Sequence, residues 1–321
     1  MKIGVVGSGA LGCYYGARLC RAGLDVHMLL RSDYEVIRDK GLHIDSVKEE
    51  LLVHPHAHTA SEDIGVCDLV IVGLKTTAND CFAELVTPLL DGDTAILCLQ
   101  NGLGNCEKLA KLFGPERVIG GLCFVCLNRI EPGVVRHIAF GKVVLGEFGR
   151  PPMERTHTIA RWFKDSKIPC EVSENLEKSQ WEKLVWNIPF NGLGVAGAAG
   201  LQALVDVGGN MPAKLSPVMS TDQLLGNSRW EEWVRGLMSE IIAAANVKGL
   251  SVDVGLEKQM VDYTRDMGEY RASTLVDFER GMPLEMESMF LEPLRQARAT
   301  GVAIPRLEAL CAVLEKLEER R

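Results

Sequence analysis

The sequence predicts an α/β fold in two parts, a doubly wound sheet followed by an all-helical region. Two observations predict the sheet. Short apolar runs alternate with helical patterns from residue 2 to about residue 172, the sign of parallel strands joined by crossover helices. One of these runs, "CDLVIVGLK" at 67–75, is apolar almost throughout, as a strand covered on both faces must be. The third observation is the change after residue 172, where few β-branched runs remain and apolar residues recur at helical spacing. A chain of 321 residues is long for one core and suits two domains, placed at 1–172 and 173–321.

The elements follow in order. Residues 2–7, "KIGVVG", read as a short buried strand ending in a glycine turn, and a helix runs on to about Ala22. "GLDVHMLL" is the second strand, with "SDYEVIRDKGL" a helix and turn behind it. After "CDLVIVGLK" come a helix over 77–90, the strand "TAILCLQNG", the helix "GNCEKLAKLF" and the strand "RVIGGLCFVC". Further strands are expected around "GVVRHIAFGKVVLGEFG". In the second half "ENLEKSQWEKLVWNIPFNGL", "RWEEWVRGLMSEIIAAANVKG" and "IPRLEALCAVLEKLEERR" carry helical periodicity, and "GGNMPAKLSPVMSTDQLLGNS" reads as a loop between helices.

Composition excludes several classes of partner. The net charge is -8 with no basic block, and neutralising phosphates needs clustered Lys and Arg, so nucleic acid is not expected. No apolar run approaches the roughly 18 residues of a membrane span, and no membrane partner is expected. The N-terminus breaks into glycines within four residues instead of forming a signal-peptide core, so a cytoplasmic protein is expected. Most of the ten cysteines lie in apolar surroundings and read as buried free thiols. Cys123 and Cys126 have C-x-x-C spacing, but no second pair completes a zinc site. His54, His56 and His58 alternate as on an exposed edge strand, and no neighbouring carboxylate or cysteine in the sequence is spaced to make them a metal site. No metal is expected.

The chemistry-bearing motif is "GSGALG", which places Gly7, Gly9 and Gly12 in G-x-G-x-x-G spacing with Ser8, Ala10 and Leu11 between them. A strand ends before it and a helix opens after it. In that context the glycines let the backbone turn tightly and approach a pyrophosphate at the helix N-terminus. The N-terminal domain is therefore predicted to be a Rossmann-type dinucleotide-binding sheet. The second strand ends "LLRSD". Arg31, about 20 residues past the motif and beside Ser32, suits the 2′-phosphate of NADP. Asp33 is the argument for NAD, against a role in capping the next helix. Lys75 and Asn101 close two further strands, and ligands of such sheets bind outside the carboxyl ends of the strands.

A dinucleotide domain followed by a helical one is a common dehydrogenase layout, in which the helical half must supply a proton donor. Lys183, Asn187 and Asn191 recur every four residues through an otherwise apolar helix, and each such step returns to the same face with about 40° of drift. An apolar setting lowers a lysine pKa toward neutrality, which suits a general acid. Pro189 lies inside the stripe and is expected to kink it.

Taken together, "GSGALG", Lys75 after an apolar strand, "QNG" at 100–102, Lys183 with Asn187 and Asn191, Ser273 and Glu285 in "STLVDFERGMPLE", and "ARATGVAIPRLEAL" resemble the ketopantoate reductase family nearly end to end. The resemblance implies reduction of 2-dehydropantoate to pantoate with NADPH, for pantothenate synthesis. It implies Lys183 as the acid that protonates the developing alkoxide. Asn101 would touch nicotinamide and substrate, and Asn187, Asn191 and Ser273 would bind the substrate's hydroxyl and carboxylate. Glu285 would sit by the nicotinamide end and the lysine, and Cys126 would pass the cofactor with its backbone. Two departures stand out. The further asparagine usual about ten residues after the second one is absent from "GVAGAAGLQAL", and Phe290 and Leu291 stand where an Asn-Gly pair is common. They leave open an NADP-dependent reductase of a different 2-oxo acid. A non-catalytic NADP-binding sensor is a further alternative. The small-molecule partner expected is a 2-oxo acid. A homodimer is compatible with an apolar helix face, although no heptad seam is visible.

Overall fold

The computed structural model describes residues 1–320 and divides into two compact units, Met1–Leu176 and Glu177–Arg321. The first unit is built on one ten-stranded mixed sheet. Its strands are β1 (Lys2–Val6), β2 (Asp25–Leu29), β3 (Leu42–Ser46), β4 (Leu51–Val53), β5 (His56–His58), β6 (Leu69–Val72), β7 (Ala95–Cys98), β8 (Val118–Glu131), β9 (Val134–Glu147) and β10 (Cys170–Val172). The order across the sheet is β4-β3-β9-β8-β7-β6-β1-β2-β5, with β10 beside β9. From β8 to β5 every neighbouring pair is parallel.

The chain leaves β1 toward β2 and then returns to lay β6 on the other side of β1. The order therefore reverses between β1 and β6, the place where such sheets open a crevice at their carboxyl ends. Its helices are α1 (Ala10–Arg21), α2 (Tyr34–Lys40), α3 (Phe82–Val86), α4 (Asn105–Phe113) and α5 (Glu154–Asp165). Successive strand residues point to opposite faces. Ile3, Val5, Ile71 and Leu97 meet Cys13, Tyr14 and Ala17 of α1 and Phe163 of α5 on one face. Val6, Val70, Val72 and Ile96 meet Phe82 and Val86 of α3 and Leu109 of α4 on the other. Both faces are covered, which is why these strands read as continuous apolar runs.

Three differences from the sequence reading have local causes. The helix expected over 77–90 is instead a 3-10 turn at Thr76–Cys81, the short α3 and a second 3-10 turn at Thr87–Leu89. Ala78 leaves helical geometry, and Pro88 opens the last turn, where its missing N–H costs nothing. The strands around 117–149 form one long antiparallel hairpin, β8 with β9, whose bulges carry it beyond the parallel sheet. Strands β3, β4 and β10, absent from the sequence reading, extend the sheet past β9.

The second unit contains helices and no strand among the described residues. They are α6 (Leu176–Asn187), α7 (Gly194–Ala196), α8 (Leu201–Val205), α9 (Thr221–Leu225), α10 (Ser228–Val247), α11 (Leu256–Asp266), α12 (Ser273–Glu279), α13 (Glu292–Ala299) and α14 (Pro305–Glu319). The first residue of α6 belongs to the first unit. The expected loop over 208–228 contains α9, which a Ser220–Gln223 capping box stabilises. Pro189 does not break the helix it interrupts. Residues Ile188–Leu193 form a π turn between α6 and α7, so the missing N–H is absorbed without a stop.

Candidate functional site

In the first unit the glycine turn sits where the strand order reverses. Gly7 has φ +96°, and a Cβ on it would lie 2.2 Å from the Leu74 nitrogen at the end of β6. A Cβ on Gly12 would lie 2.3 Å from the Gly7 carbonyl oxygen. Both must be glycine for β1, α1 and β6 to meet. Gly9 differs, because a Cβ there meets nothing within 4 Å. It leaves the backbone open at the N-terminus of α1, whose first turn carries no acidic residue and whose Gly9 cap offers no side chain. Beside it the buried Ser8 Oγ has no hydrogen-bond partner among the described residues. An orphaned hydroxyl, free helix N–H groups and an open glycine fit a dinucleotide's pyrophosphate. Ala10 and Leu11 open α1 and are half-exposed, and Leu11 packs on the core beneath.

At the end of β2, Arg31 is exposed while Asp33 is 4% exposed. The Asp33 carboxylate pairs with Arg129 from β8, accepts from the Gly133 N–H at 3.2 Å and accepts from Ser32 Oγ at 3.0 Å. Arg129 also donates to Ser32 Oγ at 2.9 Å. Asp33 is therefore occupied in tying the β8–β9 turn to the end of β2. It makes no side-chain cap on α2. Arg129 escaped the sequence reading because only the long hairpin carries it back to that strand end, nearly a hundred residues away.

Lys75 follows β6 in extended conformation and is exposed. Asn101 follows β7 and is half-buried. The turns that carry them are joined by amides. Gln100 Nε2 donates to the Leu74 carbonyl at 2.9 Å and to Asn79 Oδ1 at 2.8 Å. Asn79 Nδ2 donates to Asn105 Oδ1 at 2.7 Å, and Asn105 Nδ2 donates to the Asn101 carbonyl at 2.9 Å. This chain fixes the backbone of Asn101 against that of Lys75. Its members were missed, although three amide side chains near two strand ends were visible in the sequence. Cys126 lies half-buried on β8, opposite Ala139 of β9. The buried thiols are poor nucleophiles: burial pushes Cys13 and Cys170 each up to about 12.

In the second unit Lys183 is half-buried, Asn187 is 7% exposed and Asn191 is 2% exposed. A π turn takes more residues per turn than an α turn, so its insertion after Asn187 offsets the forward drift of the four-residue step to Asn191. Both ends of the Asn191 amide make hydrogen bonds. Its Nδ2 donates to the Asn187 carbonyl at 3.0 Å, and its Oδ1 accepts from the Thr274 N–H at 3.0 Å and from Ser273 Oγ at 3.4 Å. Asn191 thus caps the start of α12 and holds Ser273, whose side chain is exposed. On the other flank Trp186 packs on Phe190 and donates to Thr264 Oγ1 at 2.9 Å.

Glu285 is half-buried and stands just before a second π turn, Glu287–Leu291. The two π turns touch: a Cβ on Gly192 would lie 3.0 Å from the Phe290 ring. Phe290 is 0% exposed, so it is part of the helical core. The alanine–glycine run 194–199 is likewise buried, against Met219 and Leu275.

A sheet with an open glycine turn at its reversal point, followed by a helical unit with a half-buried lysine among amides, defines a dinucleotide-dependent oxidoreductase. Comparison with known proteins gives the family. Residues 3–150 match the family model "Ketopantoate reductase PanE/ApbA", and residues 215–318 match its C-terminal counterpart. A 2-dehydropantoate 2-reductase of Nostoc sp. is 36% identical, over 99% of this chain and 96% of its own length. A crystal structure of 2-dehydropantoate 2-reductase from Geobacter metallireducens is 43% identical with a TM-score of 0.88, covering 98% of this chain and 99% of that one. Another from Methylococcus capsulatus is 31% identical with a TM-score of 0.88, covering 100% and 97%. The chain belongs to the ketopantoate reductase family.

Proposed function

We propose that this chain reduces 2-dehydropantoate to pantoate with NADPH, a step of pantothenate synthesis. The observation that carries this reading is its likeness, over essentially the whole chain, to proteins named for that reaction. The first unit is read as the cofactor domain and the second as the substrate and catalytic domain. Bound NADPH would supply the hydride that reduces the keto carbon.

The chain's own residues do the rest. Backbone N–H groups from Gly7 to Gly12, with Ser8 Oγ, hold the pyrophosphate. Arg31 holds the 2′-phosphate by a charge-assisted contact, with Ser32 and Arg129 beside it. Asp33 is buried and already paired with Arg129, which makes it a poor partner for a ribose 2′-hydroxyl and supports NADP over NAD. Lys75 and the Asn101 side chain line the cofactor at the ends of β6 and β7, and Cys126 contributes backbone alone. Lys183 donates the proton that neutralises the new alkoxide. Glu285 is read as lying by the nicotinamide end and the lysine. Asn187, Asn191 and Ser273 bind the substrate's hydroxyl and carboxylate. Asn191 also holds Ser273 and the Asn187 carbonyl through its amide.

A steady-state assay over a panel of 2-oxo acids with NADPH tests the proposal. It expects kcat/KM for 2-dehydropantoate to exceed that for every rival. A second reading keeps the scaffold and changes the 2-oxo acid, and the buried alanine–glycine run where the family has a further asparagine favours it. A higher kcat/KM for another acid would decide for that reading, and NADPH binding with no turnover on any acid would leave a sensor.

A further inference from the structure

Two histidine rings and a carboxylate converge on the edge of the sheet, away from the glycine turn. Asp25 and His27 lie on β2 and point to the same face, being two residues apart. His56 and His58 lie on the edge strand β5, in parallel register with His27 and Leu29. Asp25 Oδ1 lies 3.1 Å from His27 Nε2 and 3.4 Å from His56 Nε2. The rings of His27 and His56 are stacked, 4.5 Å between centroids and 19° between planes. Stacked rings present their nitrogens side by side, and the three donor atoms all lie within 4.8 Å of one another. Sequence spacing hid the arrangement because the carboxylate comes from a different strand.

We propose that Asp25, His27 and His56 form a binding site for a divalent transition metal of the zinc class, with His58 orienting His27. Zinc bonds to imidazole nitrogen and carboxylate oxygen are about 2.0–2.2 Å long, so tetrahedral ligands sit roughly 3.3–3.5 Å apart. Both carboxylate–imidazole separations are already near that value, and only the two imidazoles need to draw together. His27 Nδ1 lies 2.9 Å from His58 Nε2. With a metal on Nε2, the His27 proton moves to Nδ1 and donates to His58, the partner that a ligating histidine needs. Without one, His27 Nε2 is hydrogen-bonded to the Asp25 carboxylate. Neutral imidazoles are the ligating form. A bound ion would tie β5 to β2 directly ahead of Arg31.

Titration of the full chain with cobalt(II), read by visible absorption, tests the site. The expected result is one saturable ion per chain with ligand-field bands of nitrogen and oxygen ligands. His56→Ala and Asp25→Asn should each lower affinity at least tenfold, and His58→Ala about 10–100-fold through loss of the orienting partner. The His56 side chain is 65% exposed, so its removal leaves the fold intact, checked by an unchanged metal-free melting temperature. No saturable binding, binding unchanged in both ligand variants, or a thiolate charge-transfer band from cobalt on a cysteine such as the exposed Cys81 would overturn the proposal.

Discussion

Lys183 combines a charged amine with a half-buried position, and a general acid contributes typically 10²–10⁴-fold to a rate. Arg31 is the residue that separates the two nicotinamide cofactors. Arg31→Ala should raise KM for NADPH by about 10–100-fold, the value of one hydrogen bond to a charged group, with little change in KM for NADH. Parallel kinetics with both cofactors check it, and equal losses with NADH would remove Arg31 from the 2′-phosphate. Asn191→Ala should destabilise the chain by about 1–3 kcal/mol, since the buried Thr274 N–H loses its acceptor. Chemical denaturation measures this. At this scale residue types were legible and partners were not. Asp33 read as an argument for NAD until Arg129 arrived from a distant hairpin. Asn191 read as a substrate ligand, and spacing did not reveal that its Oδ1 also accepts from the start of α12. Sequence spacing places residues on a face without saying what the opposite element offers them.

The glycine turn gives the sharpest test among the elements. Gly7→Ala should destabilise the fold by more than about 2 kcal/mol, because it needs positive φ and its Cβ would strike the backbone of Leu74. Gly9→Ala should leave the melting temperature unchanged, because nothing lies within 4 Å, and yet weaken NADPH binding measured by fluorescence. Equal effects of the two substitutions on stability would contradict the distinction. The G-x-G-x-x-G spacing was legible, but which glycine serves the fold and which the ligand was not. Helix breaks were also poorly legible. Pro189 was expected to kink its helix, and the irregularity found there is a π turn. The expected helix at 77–90 broke instead, where Asn79 turns its side chain to Gln100 and Asn105. Strand β3 was missed because its burial comes from long-range pairing with β9, which no local pattern records.

For the molecule as a whole, the division into a sheet unit and a helical unit was visible in the loss of strand patterns after residue 172. The mixed character of the sheet was not, because antiparallel and parallel strands share a period of two. One buried carboxylate ties the sheet's long hairpin to the helix behind it. Glu147, at the end of β9, is 1% exposed and accepts from Arg155 Nε at 2.9 Å, Arg150 Nη2 at 3.0 Å and Thr156 Oγ1 at 2.6 Å. Burial alone would raise its pKa, but these donors outweigh burial and hold it below the usual 4.5. Its contribution to stability is thus fully present above about pH 4.5 and is lost as the pH falls through the folded value. Glu147→Gln should cost stability near the low end of about 3–5 kcal/mol, since both arginines stay partly hydrated, and should flatten the acid side of the stability curve. Denaturant midpoints between neutral and acid pH measure both effects. Proton donation by Lys183 is tested most directly by Lys183→Ala under saturating NADPH and 2-dehydropantoate. The variant should keep wild-type NADPH affinity with kcat reduced by about 10²-fold or more. A kcat within a few-fold of the unmodified chain would contradict it.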